Sequence, residues 1–145
     1  MKEKTMRQIE NLKNQTIGVE VEMNSITRKN AAKVAAEYFG TGRFEDTARR
    51  NGYRTWSAWD ADGREWKFQR DVSIHGPEDE KCELVTPILR YSDIETLQEL
   101  CRRLRHALHR RRIAQLHLYR QFHLSPSFPL PLLRFILIVV ILIAA

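Results

Sequence analysis

The chain has 145 residues, 43% of them apolar, with 24 Lys+Arg against 18 Asp+Glu; this suffices for one modest globular domain and excludes a collagen-like or wholly disordered chain. Residues 1–99 hold all 18 acidic residues beside 16 basic ones, net −2, whereas the last 46 hold eight arginines and no acid, net +8. The overall charge of +6 therefore belongs to the tail, and a basic interface for nucleic acid or an anionic surface is excluded for the body.

The first 15 residues read as a polar leader with no apolar h-region, so no secretory signal is expected. Thr16 to Met23, TIGVEVEM, alternates: Ile17, Val19 and Val21 share one face of a predicted strand and Gly18, Glu20 and Glu22 the other. From Thr27 to Phe39 the spacing predicts a helix, with Thr27 as N-cap, Gly40 as the left-handed stop, and Ala31, Val34, Ala35, Tyr38 and Phe39 on one stripe. Arg54 to Ile74 reads as a β-hairpin turning at DADG, residues 60–63. A polar loop, His75 to Lys81, leads to a short strand, Cys82 to Thr86, stopped by Pro87. Ser92 and Glu95 fit a capping box, and Ile94, Leu97, Leu100, Cys101, Leu104 and Leu108 follow at helical spacing. The order β-α-β-β-β-α predicts an α+β domain with a largely antiparallel sheet. Cys82 and Cys101 have neither Cys-x-x-Cys nor metal-ligand spacing, which points to incidental thiols in a reduced, cytoplasmic protein.

Three groups of residues can carry chemistry. Glu20 and Glu22, at i and i+2, project from one strand face about 6–7 Å apart. Carboxylates held so close in a partly dry cleft repel one another, and Mg²⁺, a hard cation that prefers oxygen, relieves the repulsion. Lys67, Gln69, Asp71 and Ser73 share the next strand face, with Phe68, Val72 and Ile74 opposite, and suit a phosphate or an amino-acid substrate. Glu83 stands alone among the apolar residues of CELVTP. Spacing alone leaves open a solvated outer face for each group.

The order GVEVEM, WDADGREWK, RDVSI, ELVTP and LQELCRRLR resembles the first half of the amidoligase family, relatives of glutamate-cysteine ligase and glutamine synthetase. The resemblance runs through Ile17–Gly40, Trp59–Ile74 and Cys82 to about His106. It implies a curved, mainly antiparallel sheet with flanking helices, an incomplete glutamine synthetase-like catalytic domain whose inner face holds the site. Glu20, Glu22 and Glu83 match the carboxylates that take Mg²⁺-ATP, Asp71 and Ser73 match the catalytic R-D-x-S segment, and Lys67 and Arg70 match contacts to phosphate or a substrate carboxylate. The implied reaction is ATP-dependent amide formation: ATP phosphorylates an amino-acid or peptide carboxylate, and an amine attacks the resulting acyl phosphate.

Family sequences continue after this helix with a glycine and a strand like S-C-G-x-H-x-H. In this chain residues 107–145 contain no glycine, no acid and no His-x-His, and His106, His109, His117 and His123 are scattered among arginines without the geometry of a zinc site. The break in composition predicts a shift of reading frame near residue 106, a truncated family domain, and little or no ligase activity. Leu130 to Ala145 is sixteen residues, apolar except for Arg134 and Pro131, shorter than the roughly 20 a spanning helix needs, so membrane contact by residues 130–145 is marginal. No pattern for specific nucleic-acid recognition accompanies Arg102 to Arg112. The alternative is a small basic protein, membrane-associated or nucleic-acid-interacting, whose carboxylates are surface charge.

Overall fold

The computed structural model describes residues 2–50 and 52–109. The predicted frame change and the apolar run at residues 130–145 bear on a tail that lies almost wholly outside them. Among the described residues, three α-helices and seven strands follow in the order α1 (Lys2–Lys13), β1 (Thr16–Ile17), β2 (Glu20–Met23), α2 (Arg28–Tyr38), β3 (Phe44–Asp46), β4 (Trp56–Trp59), β5 (Glu65–Gln69), β6 (Cys82–Val85), β7 (Leu89–Arg90) and α3 (Ile94–His109). Five strands form an antiparallel sheet ordered β2-β6-β5-β4-β3, and β1 pairs with β7 in a separate two-stranded ladder. The class is α+β, as the element order predicts.

Alternation along the strands gives the sheet two unlike faces. Val21, Met23, Ala58, Trp66, Phe68, Cys82 and Leu84 turn inward into one core with α2, which lies over β3, β4 and β5 and whose Ala31, Ala32, Ala35 and Ala36 are fully covered. These alanines let the helix lie close to the sheet, with Phe39 reaching Trp66 at 5.0 Å between ring centroids. α3 packs on α2 and seals the core with Leu97, Leu100, Leu104 and Leu108. Each such leucine contributes about 1.5–3 kcal/mol by leaving water.

Both helix signals around α2 are realised. The Thr27 side chain accepts from the Asn30 N–H at 3.3 Å, and Gly40, at φ +73°, ends the helix in the left-handed region that a Cβ would strain. The turn at Asp60–Gly63 is held by one carboxylate. Asp60 accepts from the Asp62 and Arg64 backbone N–H groups, the Arg64 Nε and the Trp66 indole Nε1, the last at 2.9 Å. Arg64 then makes a two-pronged pair with Asp93, at 2.9 and 3.0 Å, tying the hairpin to the start of α3.

Four local expectations are corrected. The polar leader forms helix α1. The strand expected over Thr16–Met23 breaks at Gly18 and Val19, because β1 and β2 pair with different partners. The strand expected to run to Ile74 stops at Gln69: the Asp71 carboxylate accepts from the Ser73 N–H and Oγ, each at 2.8 Å, and bends the chain, leaving Val72 68% exposed. Finally, the chain reaches α3 through a 3₁₀ turn over Tyr91–Asp93, in which Asp93, and not Ser92 with Glu95, caps by accepting from the Arg90 N–H at 2.8 Å.

Candidate functional site

The face of the sheet turned away from α2 is polar, and register builds it row by row. Glu22 lies directly opposite Glu83 across β2 and β6, and Glu83 lies opposite Gln69 across β6 and β5. The neighbouring row runs Glu20, Val85, Lys67, Ser57, Glu45 across all five strands. Asp71 joins the first row from the turn just beyond β5, so that Glu22, Asp71 and Glu83 each bring a carboxylate oxygen within 4.8 Å of the others. Spacing alone put Glu20 with Glu22 and left Glu83 isolated, while the resemblance grouped all three; the sheet makes Glu22 and Glu83 the direct pair, with Glu20 one step along.

The surroundings of these carboxylates favour a neutralising partner. Partial burial raises the Glu22 carboxyl above its usual range, and the charges of Asp71 and Glu20 raise it further. Burial likewise raises Glu83; a hydrogen bond from Gln69 Nε2 to Glu83 Oε2, at 3.0 Å, opposes this, while Glu20, Asp71 and Glu22 add to it. Carboxylates crowded in this way offer the hard oxygen ligands that a divalent cation takes. Gln69 and Ser73 each fix one carboxylate, since Ser73 Oγ donates to Asp71 Oδ1 at 2.8 Å. The Asn24 Oδ1, two residues along the chain from Glu22, is a buried acceptor with no partner among the described residues.

The remaining predicted residues divide. Lys67 is half-buried on the polar face, directly across from Ser57 and Val85. Arg70 pairs instead with Glu78, which also lies 3.5 Å from Lys81. Residues missed by sequence reasoning sit at the far end of the face: Ser57 Oγ donates to Glu65 Oε1 at 2.7 Å and lies 2.7 Å from Thr47 Oγ1, with Ser57 and Thr47 both buried. The alternation of β4 and β5 contained this signal for Ser57 and Glu65. Thr47 had none, because the short edge strand β3 before it lacks a pattern of its own. Cys82 and Cys101 are buried, and burial pushes both thiols up to about 12, which leaves them unreactive.

A family model described as a putative amidoligase enzyme matches residues 13–119, well over half of the chain. No curated protein and no solved structure matches it. No helix among the described residues is long and apolar enough to cross a membrane.

Proposed function

Given that the chain belongs to the amidoligase family, we propose that its polar sheet face is the Mg²⁺-ATP side of a carboxylate-amine ligase site. The observation that carries this reading is the convergence of Glu22, Asp71 and Glu83 oxygens within 4.8 Å. The three carboxylates hold the cation, with Glu20 adding negative charge from the adjoining row. Bound Mg²⁺ supplies neutralisation of phosphate charge as it builds up during transfer. Gln69 and Ser73 keep Glu83 and Asp71 aimed, so the cation site forms with little rearrangement. Lys67, on the same face, attracts an anion, either a phosphate or the carboxylate of an amino acid or peptide. Arg70 is a weaker candidate for that contact, because Glu78 already engages it.

Turnover by this chain is low in the same reading, because the composition changes after α3 where the family pattern would continue into further sheet. The composition break near His106 and the family match, which runs on to residue 119, put different ends on the family sequence. Translating the gene in its other two frames downstream of the Leu104 codon decides between them: a glycine followed by an S-C-G-x-H-x-H-like strand supports a shifted frame, and its absence from both frames removes it. Equilibrium dialysis of ATP against the full chain tests the site itself. ATP retained only with Mg²⁺, and lost in Glu22→Gln, is the expected result; retention indifferent to Mg²⁺ and to the substitution overturns it. ATP turnover abolished by Glu22→Ala refutes low activity while leaving the site in place.

A further inference from the structure

Asp71 lies near the start of the long connection between β5 and β6, so its meeting with the Glu22–Glu83 pair, which strand register sets, depends on how that connection is held. One residue of α2 holds it. Arg28, in the first turn, is 8% exposed and spends its guanidinium on three backbone carbonyls: Nε donates to Arg54 O at 3.1 Å, and Nη1 donates to Glu78 O at 3.1 Å and Lys81 O at 2.7 Å. Lys81 is two residues before Glu83. At the other end, the Arg70 N–H donates to Tyr53 O at 2.8 Å, next to the Arg54 carbonyl that Arg28 holds. Arg54 itself stands at φ +50°, a strained conformation for a residue with a side chain, which the surrounding contacts must maintain.

We propose that Arg28 is a positioning residue of the carboxylate site, clamping the β5–β6 connection so that Asp71 is held against the register-paired Glu22 and Glu83. The clamp rests on the reading of those carboxylates as a divalent-cation site. A buried cation with no carboxylate partner among the described residues, held by loop carbonyls, fixes backbone position, and a planar fork does this where an ammonium cannot. Loss of a group that orients metal ligands typically lowers affinity by about 10–100-fold.

The test is titration of the full chain with Mn²⁺, in wild type, Arg28→Lys and Glu22→Gln, with thermal unfolding of each in EDTA. The clamp predicts that folded Arg28→Lys binds Mn²⁺ about 10-fold or more weakly, and that its amides at residues 71–81 exchange hydrogen faster. Wild-type Mn²⁺ affinity in folded Arg28→Lys overturns the clamp alone, whatever its unfolding temperature, provided that Glu22→Gln has lost binding. Absence of Mn²⁺ binding by the wild type overturns the cation site and the clamp together. Should Arg28→Lys not fold, hydrogen exchange in the wild type decides: Mn²⁺ slows the 71–81 amides if the clamp and the site are coupled, and unchanged exchange there overturns it.

Discussion

Glu22→Gln makes the cost of assembling the site measurable. In metal-free buffer near neutral pH, Glu22 faces two carboxylates, Asp71 and Glu83, with oxygens within 4.8 Å. One such pair repels by ~0.9 kcal/mol in a water-like medium and ~3.5 kcal/mol at an effective dielectric of 20. Glu22 is partly exposed and screened, so the low end applies, and removing its charge should stabilise the folded chain by about 1–2 kcal/mol. That corresponds to a rise of about 3–6 °C in Tm for a domain of this size. The sign follows from the raised carboxyl: the wild type has its full stability below the unfolded value near 4.5 and loses it as pH rises through the higher folded value. The gap between variant and wild type therefore opens above pH 4.5 and closes below it. Calorimetry in EDTA at several pH values, then with Mn²⁺, is the assay; Mn²⁺ should raise Tm for the wild type and not for the variant. A Glu22→Gln protein less stable than wild type at neutral pH without metal would refute the reasoning, since the carboxylate would then be a satisfied structural group.

The other predictions concern the scaffold. Asp60→Ala removes the acceptor of four donors, including the buried Trp66 indole, and should cost about 3–5 kcal/mol by urea denaturation; a cost below 1 kcal/mol would show the turn to be held otherwise. Although burial opposes it, hydrogen bonds from Trp66 and Arg64 hold the Asp60 carboxyl below its usual value, and Arg64 does the same for Asp93. Their contribution to stability is present above about pH 3.8 and is lost as pH falls through the lowered folded values, so Asp93→Asn, which removes one of these charges, should be less stable than wild type at neutral pH and the gap should close in acid; a gap independent of pH would refute this. Gly63→Ala, at φ +75° with open space around the missing Cβ, should cost about 1 kcal/mol from backbone strain alone. Leu100→Ala, at a fully buried position between α3 and the core, should cost about 2–5 kcal/mol in the same denaturation experiment.

The elements that were legible in the sequence are those whose pattern is set by burial on one side. The stripe of α2 with its Thr27 cap, the leucine stripe of α3, and the alternation of β2, β4 and β5 each follow from one covered face. What the sequence hid was set by partners distant along the chain. β3 is three residues long and pairs at an edge, and the Asp93 cap depends on Arg64 from the hairpin. At the site, Glu20, Glu22 and Lys67 could be assigned to faces by parity. That Glu22 would face Glu83 follows from the register of β2 against β6, and that Asp71 would turn back to both follows from a hydrogen-bonded turn with Ser73. Arg28, which no sequence pattern singled out, holds the intervening connection through contacts 26, 50 and 53 residues away in the chain.

Divalent-cation binding tests the central claim most directly. Titration of the full chain with Mn²⁺ near neutral pH should show one saturable site in the wild type, lost or greatly weakened in both Glu22→Gln and Glu83→Gln while each remains folded. No saturable binding by the wild type, or binding unchanged by both substitutions, would contradict the assignment of Glu22, Asp71 and Glu83 as the cation-holding core of the site.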